Sequence, residues 1–156
     1  MAGPSIALYD TANSNIVSTW NVGTVQAQVP SAELTVNIWN NKGGSSAVSD
    51  LRDCSITVLD SNGSTANEDV ARDKWVEINS QAVDGNTTTW TAIGGTTTKA
   101  VKANTGVEEN TIKGTANAGT TTNSENCATV KFRVNAPINS EPGTKNFKIR
   151  LTGYYT

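Results

Sequence analysis

The chain has 156 residues, 36% of them hydrophobic and 17% charged, with 12 Lys and Arg against 14 Asp and Glu for a net charge of -2. That length suits one domain with a core of its own, and the near-neutral balance offers no positive field to draw nucleic acid. Low charge alongside modest hydrophobicity is also not the composition of a disordered chain, which pairs few apolar residues with high net charge.

Thr, Asn and Ser dominate the polar remainder, and β-branched side chains favour strand over helix. Ile6, Leu8 and Tyr9 predict a short first strand, ended by a turn over residues 10–15. Ile16, Val17, Trp20 and Val22, then residues 24–29 ahead of Pro30, read as broken edge strands. Residues 32–40 predict a stronger strand, with Leu34, Val36 and Ile38 on one face and Thr35, Asn37 and Trp39 on the other. A Gly- and Asn-rich loop over residues 40–46 precedes a third strand at 55–60, carried by Ile56 and Val58.

A turn at 60–63 follows, and residues 68–74 form the stretch best suited to a turn or two of helix. Trp75, Val76 and Ile78 then resume a strand. Residues 82–125 are rich in Thr, Gly and Asn, with short strands expected near 88–93, 98–103 and 109–114. A polar, weakly charged stretch of this length reads as an elaborated arm or a set of extra edge strands that contacts neighbouring subunits. Apolar residues then alternate through Val130, Phe132 and Val134, and again through Phe147, Ile149 and Leu151, so residues 126–156 predict a final hairpin turning at Glu141-Pro142-Gly143.

Many short strands with almost no helix predict an all-β fold, a single antiparallel β-sandwich over residues 1–156. The expected core is Leu34, Val36, Ile38, Ile56, Val58, Val130, Phe132, Val134, Phe147, Ile149 and Leu151.

Catalytic chemistry finds little purchase. With no His, the usual general base near neutral pH is missing, and with it Ser-His and Cys-His nucleophiles and His-bearing zinc sites. Cys54 and Cys127 stand far apart, which speaks against thiolate zinc sites and redox pairs; free, buried thiols are expected, a disulfide being the alternative. The carboxylates of Asp50, Asp53, Asp60, Glu68, Asp69 and Asp73 lie among turn residues, where Asp serves local hydrogen bonds. Asp60-Ser61-Asn62-Gly63-Ser64 has the oxygen ligands calcium prefers, but its spacing departs from the EF-hand loop, and an Asx turn is expected there instead. The reading is a non-enzyme with no cofactor and no metal. No apolar run approaches the roughly 18 residues that span a bilayer, and Met1-Ala2-Gly3-Pro4-Ser5 does not open a signal peptide, so synthesis in the cytoplasm without a membrane partner is expected.

The aromatic residues carry the binding hypotheses. If Val36 and Ile38 face the core, Trp39 faces outward, and large apolar groups on a wet face suggest a partner surface. Trp39, Trp90, Tyr154 and Tyr155 are therefore the candidate interface residues. Exposed Trp on a sheet also stacks on sugar rings, so a carbohydrate-binding module or surface adhesin is the alternative.

Val134-Asn135-Ala136-Pro137, Glu141-Pro142-Gly143-Thr144 and Phe147-Lys148-Ile149-Arg150-Leu151 resemble the last hairpin of bacterial and phage immunoglobulin-like domains, and the strand ending in Trp39-Asn40-Asn41 is similar to their early core strand. The resemblance implies an Ig-like sandwich with no catalytic residues to carry over. It also implies a structural protein of a tailed-phage virion, in head decoration, neck or baseplate, whose partners are other virion proteins and further copies of itself.

Overall fold

The computed structural model describes residues 1–65 and 67–156. In chain order the elements are β1 (Ile6–Tyr9), β2 (Leu34–Asn40), β3 (Arg52–Asp60), α1 (Asp69–Arg72), β4 (Val76–Ser80), α2 (Gln81–Asp84), β5 (Thr91–Ile93), β6 (Lys99–Ala100), β7 (Cys127–Val134) and β8 (Phe147–Tyr154). They form an all-β fold of two antiparallel sheets, one in the order β1-β2-β7-β4-β5 and one in the order β6-β3-β8.

Period-two alternation gives each long strand one apolar face, and the two sheets turn those faces toward each other. Val36 and Ile38 of β2 stand opposite Val130 and Ala128 of β7, while Ile56 and Val58 of β3 stand opposite Leu151 and Ile149 of β8. Val36, Ile38, Ile56, Val58, Val130, Phe132 and Val134 are buried as the alternation predicts, and Leu34, Phe147, Ile149 and Leu151 are half-buried against them. Each large side chain removed from water contributes about 1.5–3 kcal/mol before entropy. Less regular stretches add Val70, Ile78, Ile93, Val101 and Ile112 to the same core.

The expected final hairpin does not form. β7 lies between β2 and β4 in one sheet, whereas β8 pairs with β3 in the other. Alternation fixes which face of a strand is apolar but not which edge it pairs. Residues 135–146 form a connection longer than a hairpin turn needs, long enough to cross the roughly 10 Å between packed sheets.

The broken edge strands expected over residues 16–29 are also missing; a single bridge joins Tyr9 to Ile16. Left-handed backbone at Gly23 (φ 79) and Gln28 (φ 62) interrupts any ladder. The segment acts through side chains instead. Trp20 reaches Phe132 of one sheet at 6.1 Å and Phe147 of the other at 5.9 Å between ring centroids, closing the side of the core.

Within residues 82–125, β5 and β6 are short edge strands, and the stretch expected to be a strand near 109–114 contributes only the bridge from Leu51 to Ile112. The chain after β6 does not project. It crosses one end of the molecule, plugging Val101, Ala103 and Ile112 into the core. Buried amides hold it there: Asn40 Nδ2 donates to the carbonyls of Ser49 (3.0 Å) and Ile112 (3.1 Å), and Asn126 Nδ2 to those of Lys113 (2.8 Å) and Thr115 (2.9 Å). Gly114 sits where a Cβ would run into the carbonyls of Val48 and Ser49, so the crossing chain passes at backbone distance.

Candidate interaction surface

Trp39 is the first correction. It lies on the face of β2 opposite Ile38, as alternation requires, but it is 1% exposed. Residues 10–15 fold over it. The Asp10 carboxylate accepts the Ser14 N–H and the Asn15 amide, each at 2.9 Å, and the Asn15 bond is the main reason its pKa falls below the usual value. Asn13, in left-handed backbone (φ 56), offers its Oδ1 to the Trp39 indole Nε1 at 2.9 Å. Trp39 is thus internal, and no partner reaches it in the folded chain.

The other tryptophans are largely engaged too. Trp20 bridges the sheets and Trp75 is 6% exposed. Trp90 is half-buried on the outer face of the five-stranded sheet, where the Arg133 guanidinium stacks 4.2 Å from its ring centroid and Lys131 Nζ lies at 5.4 Å. Those cations are held in turn by Glu77 and Glu33. The open aromatic platform that a sugar ring needs is therefore missing at Trp20, Trp39 and Trp75, and partly covered at Trp90.

A groove of about 780 Å³ opens on the same face, with Thr35, Asn37 and Thr129 among its lining residues. Two of its amides, Asn37 and Asn104, serve the fold. Asn37 Oδ1 accepts the Thr129 hydroxyl at 2.8 Å, and Asn104 binds both the Thr129 hydroxyl (2.9 Å) and the Thr129 N–H (3.0 Å).

The loop after β3 closes on itself in the same way. Asp60 is fully buried, and its two oxygens accept the N–H groups of Asn67 (2.8 Å) and Glu68 (3.0 Å), while Glu68 accepts the Ser61 hydroxyl at 2.8 Å. This is the Asx-type bonding expected of Asp at a turn. Among the described residues no group of three His, Cys, Asp or Glu is placed to hold a metal ion. Cys54 and Cys127 are free and buried, and burial pushes their thiols up to about 11 and about 12. Protonated thiols are poor nucleophiles.

No family model, curated protein or solved structure matches the chain. The surface itself must carry the reading. Tyr154 (54% exposed) and Tyr155 (58%) lie together at the end of β8, and Val29 (52%) and Ile138 (67%) belong to segments joined at 2.7 Å by the Gln28 N–H and the Ala136 carbonyl. The structure therefore brings Tyr154 and Tyr155 together and leaves Trp39 and Trp90 apart from them, on the other sheet. Between the tyrosines and Phe147, β8 presents Lys148 and Arg150, both exposed. Among the described residues seven of the twelve basic residues lie in ion pairs; Lys42, Lys74, Lys102, Lys148 and Arg150 lie in none, and of these Lys148 and Arg150 share one strand. Their signal in the sequence is two cations at alternate strand positions without an acidic neighbour.

Proposed function

We propose that this chain is a non-enzymatic, Ig-like structural protein of a phage or phage-like particle, acting through contacts with other virion proteins. The strand order supports the fold part of that reading. An immunoglobulin sandwich pairs its first, second, fifth and fourth strands in one sheet and its third, sixth and seventh in the other. With β5 and β6 set aside as additions, β1-β2-β7-β4 and β3-β8 follow that order.

The observation that carries the functional part is where apolar side chains meet solvent. Ile16, Val29, Ile138, Tyr154 and Tyr155 are exposed on connections and strand ends, while Asn37 and Asn104 of the groove and most of the tryptophan surface serve the chain's own packing. Exposed aromatic and aliphatic groups outside any pocket are contact material rather than ligand sites. The test is protein mass spectrometry of purified particles from a host that carries the gene, with cross-linking to neighbours. Recovery of this chain in stoichiometric copies, cross-linked near residues 148–155 or 138, is expected. Its absence from particles, together with saturable binding on a glycan array that Trp90→Ala abolishes, would replace the reading with the carbohydrate module.

A further inference from the structure

We propose that the outer edge of β8 is an acceptor site for an extended, acidic segment of another polypeptide, which adds to the three-stranded sheet as a further strand. The inference rests on the edge position of β8 and not on the particle assignment. Among the described residues β8 pairs with β3 alone, and no backbone hydrogen bond reaches residues 147–154 from outside that ladder.

The edge has the properties of an acceptor. The other edge strands have four residues (β1), three (β5) and two (β6), against eight in β8. An unpaired edge of that length is a template for strand addition unless something blunts it. β8 has no Pro, and the register irregularity of its ladder falls on β3 between Arg52 and Ser55. Its inward side is half-buried, with Trp20 packed edge-on against Phe147. An incoming strand therefore needs to supply backbone bonds, small apolar residues inward and the outward face.

The outward face fixes the chemistry of the occupant. Lys148 and Arg150 project from it two residues apart, exposed and without an acidic partner. Carboxylates at alternate positions of a strand laid beside β8 would face them at cross-strand distance, where opposite charges attract and like charges repel. The same two cations oppose a second copy. Two-fold pairing of β8 with itself about Arg150 sets the two Arg150 side chains opposite each other, and pairing about Leu151 leaves four cations on one face. The edge is thereby set against self-association and toward an acidic strand.

The experiment uses the full chain and three synthetic peptides of equal length and alternating Val/Thr inward positions, carrying Glu, Lys or Ser at the outward positions. The native mass should be that of a monomer. The Glu peptide should bind, weaken with added salt, and slow hydrogen exchange within residues 147–154. The K148E/R150E variant, altered at exposed positions only, should retain its circular dichroism and melting temperature, lose about tenfold in affinity for the Glu peptide, and prefer the Lys peptide. Equal binding of Glu and Lys peptides, unchanged binding by the variant, protection outside β8, no binding at all, or a dimer protected at β8 would each overturn the proposal. None of these outcomes bears on whether the chain is found in particles.

Discussion

The indole N–H of Trp39 and the side-chain oxygen of Asn13 meet at 2.9 Å across 26 residues of sequence, and Asn37 Nδ2 shares that oxygen at 3.0 Å. One amide thus satisfies two donors that β2 turns away from the core, and the 10–15 turn becomes a cover for the outer face of the sheet. Asn13→Ala removes the acceptor and puts Ala in left-handed backbone; a loss of about 1–3 kcal/mol is expected from the orphaned donors, with a further contribution from strain. Asn13→Gly relieves the strain without restoring the acceptor, and Asn13→Asp restores it. Urea unfolding followed by Trp emission should rank Asp above Gly above Ala. Equal midpoints for all three would show that the cover is held by something else.

Asn40 does for the crossing chain what Asn13 does for the turn. Its Oδ1 accepts the Ser5 N–H at 2.9 Å and its Nδ2 donates to two carbonyls, all in a fully buried position. Asn40→Leu keeps bulk and deletes three bonds, leaving the buried Ser49 carbonyl without its amide partner; about 2–4 kcal/mol of destabilisation is expected. Hydrogen exchange should quicken first at Leu51 and Ile112, whose mutual bridge the amide braces. An exchange pattern that quickens uniformly would instead indicate a general loss of packing.

These two amides also mark where sequence reading stops. β2, β3, β7 and β8 were legible because each has one apolar face and period two. Their partners are not, because alternation is silent on edges: nearness in sequence predicts a hairpin of β7 and β8, which lie in opposite sheets. Trp39 differs from expectation for a related reason: alternation places it opposite Ile38, but nothing in its own strand announces that residues 10–15 return to cover that face. Val101 and Ile112 look isolated in sequence because a chain crossing the end of two sheets inserts one plug at a time. Lys148 and Arg150 were visible as a pattern, yet their meaning depends on β8 being an edge, which is a property of topology alone.

The buried thiols predict an alkaline weakness. Burial raises Cys54 to about 11 and Cys127 to about 12 from an ordinary value of 9.0. The folded chain therefore keeps these protons at a pH where the unfolded chain has released them, so the stabilisation is full below pH 9 and is lost as pH rises toward the folded values. Each thiol should steepen the decline by about 1.4 kcal/mol per pH unit within its window. Urea midpoints between pH 8 and 11 should fall less steeply in the C54A/C127A variant than in the parent. Parallel curves would refute the assignment. A thiol reagent at pH 8 should find no reactive group in the native chain and two after denaturation.

Lys99 and Asp84 form an ion pair at 2.6 Å with side chains 14% and 6% exposed, linking β6 of one sheet to α2, which follows directly on β4 of the other. Asp84 also accepts the Ser80 N–H at 2.9 Å, and Lys99 donates to the Thr91 hydroxyl at 2.9 Å. Removing one member of a buried pair strands the other charge, and about 3–5 kcal/mol is the usual loss. Asp84→Ala should approach that figure, because the Lys99 ammonium keeps one hydroxyl for company. Lys99→Met should lose less, since its apolar chain fills the same path and the carboxylate retains a backbone N–H. In the double variant no charge is stranded, so its loss should fall well short of the sum of the two, with a coupling of about 1–3 kcal/mol in a double-mutant cycle. Additive losses would mean that the pair is screened by water and that the two sheets are held at this edge by packing alone.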